Sequence, residues 1–184
     1  LAQLHTAGWL TESDLRPDPL FHDERIDYAA VRPYRMSRLR LAAERFFADA
    51  RKDAQNAFHA FCKAECDWLE DYALFMALDR KLGPWGKVWQ DLPPELAQRK
   101  PRALREASRS LADECNFWKF CQWRFDSQWS SLKRYANERG VRVIGDIPIF
   151  VSGHSADVWA HQHLFDLDAS GQPRAVAGVP PDYF

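Results

Sequence analysis

At 184 residues the chain can bury one good core. Its 25 Lys plus Arg stand against 26 Asp plus Glu, which removes the basic footprint a nucleic-acid binder needs. No apolar run approaches the ~20 residues of a membrane span, and no charged-then-apolar signal segment opens the chain, so a cytoplasmic protein with reduced thiols is expected.

Residues 1 to 30 carry turn signals, Arg16-Pro17-Asp18-Pro19 among them, and read as a loop-rich connection. From Arg35 to Phe47 the recurrence of Met36, Leu39, Ala43 and Phe46 or Phe47 at three and four predicts a helix. Asp53 to Leu82 follows as one helix, with Ala57, Phe61, Ala64, Trp68, Tyr72, Phe75 and Leu78 on a single stripe, and Gly83-Pro84-Trp85-Gly86 ends it. Asp91-Leu92-Pro93-Pro94 breaks the chain again. Leu104 to Arg139 then runs as one or two helices whose buried stripe is Leu111, Cys115, Trp118, Gln122, Phe125, Trp129, Leu132 and Ala136. After Gly140 comes a β-type run, Val141-Arg142-Val143-Ile144, with Asp146 where the strand must end. Ser155 reads as the N-cap of one helical turn whose Val158 and Trp159 pack inward.

Several constellations tempt a chemical reading and fail on their own terms. Cys62-x3-Cys66 and Cys115-x5-Cys121 lie on helical patterns and lack the x2 pairing of common zinc sites, so they read as small buried hydrophobes. His154, His161 and His163 cluster within ten residues, yet no second ligand group at a recognisable distance completes a metal site. Asp166-x-Asp168-x-Ser170-Gly171 opens like a calcium loop, but its twelfth position is Ala177 rather than a bidentate Glu. It predicts instead a tight turn joining short strands, 164–167 and 174–176.

Two features keep a functional reading. A carboxylate at a strand terminus, Asp146, either caps the next turn, pairs with an Arg, or faces the mouth of a barrel. In Gly178-Val179-Pro180-Pro181-Asp182-Tyr183-Phe184, two prolines stiffen the backbone, so the acid and two aromatics are presented at low entropic cost, or else plug an edge.

Gly145 to Val151, Ser155 to His161 and Val176 to Phe184 closely resemble, in order and spacing, the 4-alpha-glucanotransferases (amylomaltases, glycoside hydrolase family 77), distant relatives of the alpha-amylases. Weaker likeness at Gly8-Trp9-Leu10, 68–75 and 125–140 extends the resemblance over nearly the whole chain. It implies an α/β fold: a partial (β/α)8 TIM barrel, helix-dominated here because the family inserts a helical subdomain. Residues 1–33 would be a loop-rich barrel connection and 34–90 the insert. Residues 91–184 would be a barrel helix, the third barrel strand and active-site loops. The chain would then be a piece of the enzyme, a whole barrel typically needing about 250 residues.

The resemblance implies transfer of alpha-1,4-glucan segments between maltooligosaccharides through a covalent glucosyl-enzyme, without metal or cofactor. Asp146 would shape the donor-sugar site, Tyr183 and Phe184 would stack on acceptor glucose units, and Asp182 would bond hydroxyls or brace the loop. A near-zero net charge suits a neutral sugar, and some of the 14% aromatic residues suit stacking on it. The nucleophilic Asp, the acid/base Glu and a stabilising Asp would lie beyond Phe184, leaving no catalytic carboxylate within the chain. Where the family usually shows an acidic residue before Ser155, this chain has His154, and no role is transferred to it. The rival readings are a helical protein-interaction module, if helices alone are counted, and an alpha-amylase-like hydrolase.

Overall fold

The computed structural model describes residues 1–16, 21, 25–82, 88–175 and 178, which form two compact units, Leu1–Ala64 and Glu65–Phe184. The boundary falls inside the segment read from sequence as one helix.

In the first unit α1 (Ala2–Thr6) closes at Gly8, whose positive φ of 81° lets Trp9 N–H return to Leu4 carbonyl. α2 spans Tyr28–Asp49 and α3 spans Lys52–Ala64. α2 begins well ahead of the predicted Arg35. Asp27 accepts from Ala29 N–H and Ala30 N–H, so the helix nucleates before Pro33, whose missing donor falls in its second turn. Phe46 is the centre of packing: its ring stands edge-on to Trp9 at 5.0 Å and to Phe58 at 5.5 Å.

The passage over residues 9 to 16 is held to α2 by hydrogen bonds. Asp14 Oδ2 accepts from Thr11 N–H, Thr11 Oγ1 and Arg45 Nη1, each at 2.7 Å, while Arg45 also reaches the Trp9 carbonyl. The Thr11 donors first, then Arg45, hold the Asp14 carboxyl well below the usual carboxylate range. A carboxyl depressed on folding stabilises fully above its unfolded value, near pH 4, and loses that contribution as pH falls toward the folded value. Asp14→Asn should therefore lower the melting temperature at neutral pH and flatten its dependence on pH below about 4. Parallel wild-type and variant curves across that range would remove Asp14 from acid unfolding.

The second unit is built on α4 (Cys66–Leu82) and the long α7 (Ala112–Asn137), with α5 (Pro94–Ala97), α6 (Pro101–Ser110) and α8 (Ala156–Ala160) around them. α4 and α7 run in opposite directions. Lys119 meets Glu70 at 2.6 Å, Tyr72 meets Trp118 edge-on, and Arg80 meets Glu114 at 2.8 Å. The predicted 53–82 helix breaks at Glu65, and its stripe changes phase there: Phe58 is buried before the break, and Leu69, Ala73, Leu74, Phe75, Ala77 and Leu78 after it, while Trp68 is exposed. The segment 104–139, expected as one or two helices, is two, separated at Leu111.

The stripe along α7 is correct only for its first half. Burial ends at Trp123, and Phe125, Trp129 and Leu132 are exposed, because α7 is 26 residues long and α4 only 17. At about 1.5 Å per residue, α7 outruns α4 by more than two turns. No strand ladder forms among the described residues, and the segment 141–148, expected to carry a strand over 141–144, lies in no ladder there. A strand exists only through a partner's N–H and C=O groups, and none lies alongside this segment among the described residues. Of the hairpin expected over 164–176, the described residues form one isolated antiparallel bridge, Leu167 to Pro173. No helix among the described residues is long and apolar enough to cross a membrane.

Candidate functional site

Asp146 sits within the unpaired 141–148 segment and is exposed; its Oδ1 accepts from the following Ile147 N–H at 2.8 Å. Around it every apolar side chain from Val141 to Val151 is solvent-facing, Ile144 at 93% and Ile149 at 89%. Asp182, Tyr183 and Phe184 lie outside the described residues. Only one of the four expected substrate-contacting residues can therefore be placed.

Beyond Val151 the chain is tied down by a residue the sequence did not single out. Trp89, in the 3-10 turn Trp89–Asp91, donates its backbone N–H to His154 Nδ1 at 3.1 Å and its indole Nε1–H to the Gly153 carbonyl at 2.9 Å. With Nδ1 accepting, the neutral ring carries its proton on Nε2, which donates to Asp79 Oδ1 at 2.7 Å. His154 also packs on Phe75, at 5.3 Å between ring centroids. The residue that departs from the family pattern is thus a structural pin from the loop to α4.

Ser155 caps α8 as expected, its Oγ accepting from Val158 N–H. Trp159 is fully buried, donates Nε1–H to the Leu96 carbonyl, and carries the Arg99 guanidinium 4.3 Å above its ring. It is core, not a sugar platform. Arg99 in turn meets both carboxylate oxygens of Asp71 at 2.7 Å. Its φ of 55° is the left-handed turn that ends α5, where Lys100 N–H returns to the Glu95 carbonyl.

The predicted turn at Asp168–Gly171 is well organised. Asp168 Oδ1 accepts from Ser170 N–H, Ser170 Oγ and Gln172 N–H, and the Ser170 hydroxyl foremost holds this carboxyl below its ordinary range. Those oxygen lone pairs are spent within the turn. A cavity of about 500 Å³ separates the two loops, with Ile149, Phe150 and Gly153 on one wall, Leu167 and Gly171 on the other, and Gln90 also lining it. Among the described residues no three His, Cys, Asp or Glu side chains converge as a metal set would require.

Comparison with known proteins decides what family this architecture belongs to. The family model for 4-alpha-glucanotransferase matches residues 1–184. This chain belongs to the 4-alpha-glucanotransferase family. A 4-alpha-glucanotransferase of Thermus thermophilus is 46% identical over 181 residues, covering 93% of this chain and 36% of the relative. One from Synechocystis is 38% identical, covering 100% of this chain and 36% of the relative. The solved amylomaltase from Streptococcus agalactiae in complex with acarbose superposes with a TM-score of 0.89 at 33% identity, over 100% of this chain and 36% of that one. The chain therefore spans about a third of the length of these relatives, and over that span its helix-dominated fold is similar to that of the solved amylomaltase.

The residues that hold the site together here, Trp89, Gln90 and Gly171, escaped the sequence reading. Gly171 alone left a trace, as a turn glycine. Its φ of 82° places a hypothetical Cβ 2.5 Å from the Trp89 ring, a close approach visible only once the partner is known.

Proposed function

We propose that this chain is part of a cytoplasmic 4-alpha-glucanotransferase that moves alpha-1,4-glucan segments between maltooligosaccharides through a covalent glucosyl-enzyme. The observation that carries the reading is the family match across all 184 residues together with the amylomaltase likeness at a TM-score of 0.89. On this reading 91–184 contributes a barrel helix, the third strand of a (β/α)8 barrel and active-site loops. Residues 1–33 connect to the barrel, and 34–90 supply an inserted helical subdomain. The physical support for the strand is its side-chain pattern. β-Branched side chains fit a pleated, buried surface, and Val141, Val143 and Ile144 make the run ahead of Asp146 one of that kind. Asp146 then stands at the C-terminal end of that strand, where barrel enzymes place substrate contacts.

A retaining transferase needs two carboxylates about 5–5.5 Å apart, one attacking the anomeric carbon and one protonating the leaving oxygen. On this reading both come from residues outside this chain, together with the stabilising Asp. Asp146 shapes the donor site, while Asp182, Tyr183 and Phe184 serve the acceptor. The full-length protein given maltotriose should release glucose and build oligosaccharides longer than the substrate. Hydrolysis products alone would replace the transferase reading with an alpha-amylase-like one. Tyr183→Ala should lower transfer relative to donor cleavage about fivefold, as expected when one stacking contact is lost; equal loss in both would remove the acceptor role.

A further inference from the structure

His154 is held from two sides. Its Nδ1 accepts from Trp89 N–H at 3.1 Å, and among the described residues that N–H has no second acceptor. Its Nε2–H donates to Asp79 Oδ1 on α4 at 2.7 Å, and its ring packs on Phe75. The remaining tie between this loop and the Trp89 turn, from Trp89 Nε1–H to the Gly153 carbonyl, does not involve the ring. Both bonds of the ring coexist only while Nδ1 keeps its lone pair. The other charged groups on the elements packed around it are engaged elsewhere or exposed. On α4, Arg80 pairs with Glu114 and Lys81 lines a cavity that faces α6. In the 3-10 turn Asp91 accepts from Val88 N–H at 2.9 Å, and on α8 Asp157 is exposed. Asp79 is the charged group bonded to the ring.

We propose that His154 is a proton-operated latch: neutral, it ties the Gly153–His154 loop to both the Trp89 turn and α4, and protonated, to α4 alone. An imidazole changes charge within about pH 5 to 8, a window in which carboxylates stay ionised. The His154 side chain is 30% exposed and that of Asp79 39%, so the proton arrives from solvent without unfolding. When Nδ1 takes it, two N–H groups face each other and Trp89 N–H loses its acceptor. The Asp79 bond meanwhile becomes charge-assisted and draws the ring toward α4. Among the described residues, the indole bond to Gly153 is then the one hydrogen bond left between the loop and the Trp89 turn. The loop follows directly on the segment 146–151, so acid loosens the attachment of the chain just beyond Asp146.

The test follows hydrogen exchange of the Trp89 backbone amide in the full-length protein from about pH 8 to 5.5, each rate divided by its intrinsic value at that pH. Protection should fall about fivefold on acidification, the effect of one lost hydrogen bond. His154→Asn places an amide oxygen where Nδ1 stood and cannot take up the proton, so its Trp89 protection should not change with pH. Asp79→Asn keeps an acceptor for Nε2–H but no charge, so the fall should move to lower pH. Constant protection in the wild type overturns the latch. A fall that His154→Asn shares, or that Asp79→Asn leaves at the same pH, belongs to another group and overturns it too. The exchange readout requires no activity, so the transferase reading stands or falls separately.

Discussion

Trp159→Ala should destabilise the second unit by about 3–5 kcal/mol, the range for removing a large aromatic from a packed core. Trp159 has no exposed surface, packs against Phe75, and shares its buried cluster with Leu74, Leu78, Trp89 and Val158. Its removal also strips the Leu96 carbonyl of the indole donor and leaves the Arg99 guanidinium without the ring beneath it. Arg99 keeps Asp71 but remains in its left-handed conformation, which a non-glycine residue tolerates only where its surroundings hold it. Trp159→Phe should lose much less, about 1 kcal/mol for the hydrogen bond. Urea unfolding of the three proteins decides between the roles. A loss below about 1 kcal/mol for the alanine variant would show that the site collapses around the missing ring and that Trp159 is no keystone.

Gly171→Ala is the second large effect, and it separates two causes that usually arrive together. The left-handed φ of 82° costs an alanine about 1–2 kcal/mol. The new methyl group would also stand 2.5 Å from Trp89 Cη2 and 2.9 Å from Cζ3, with the Trp89 side chain fully buried and unable to step aside. Overpacking of that kind adds about 1–3 kcal/mol. Gly140→Ala is the control, since Gly140 has a similar φ of 76° with nothing within 4 Å of its Cβ position. It should show the backbone cost alone. Equal losses at the two glycines would mean that the Trp89 contact carries no energy.

Much of this architecture was legible in the sequence where the signal is short-range. The three-and-four recurrence of Met36, Ala43 and Phe46 announces α2, Gly140 ends α7 in the left-handed conformation, and Ser155 caps α8. The turn at Asp168 was legible because an Asx carboxylate serves N–H groups two and four residues on. Trp159 was legible as core because a short capped turn has an inner face. Each of these rests on hydrogen bonds or steric preferences within one or two turns of chain.

What escaped depends on which distant element arrives as partner. The helix break at Glu65 coincides with the boundary between the two compact units and has no Gly or Pro to mark it. Phe125, Trp129 and Leu132 carry the same apolar period as Cys115, and only the length of α4 decides which part of the stripe it covers. His154 reads as a departure from the family pattern until Asp79, 75 positions earlier, is found 2.7 Å from its ring. Gln90 meets Gly171 across 81 positions. By itself, then, the sequence determined the family, the helices and the local turns, because periodicity, caps and turn chemistry act over a few residues. The tertiary structure alone decided that one tryptophan and its neighbouring glutamine clasp both loops of the candidate site, because chain contacts across 64 to 81 positions leave no periodic mark on either partner.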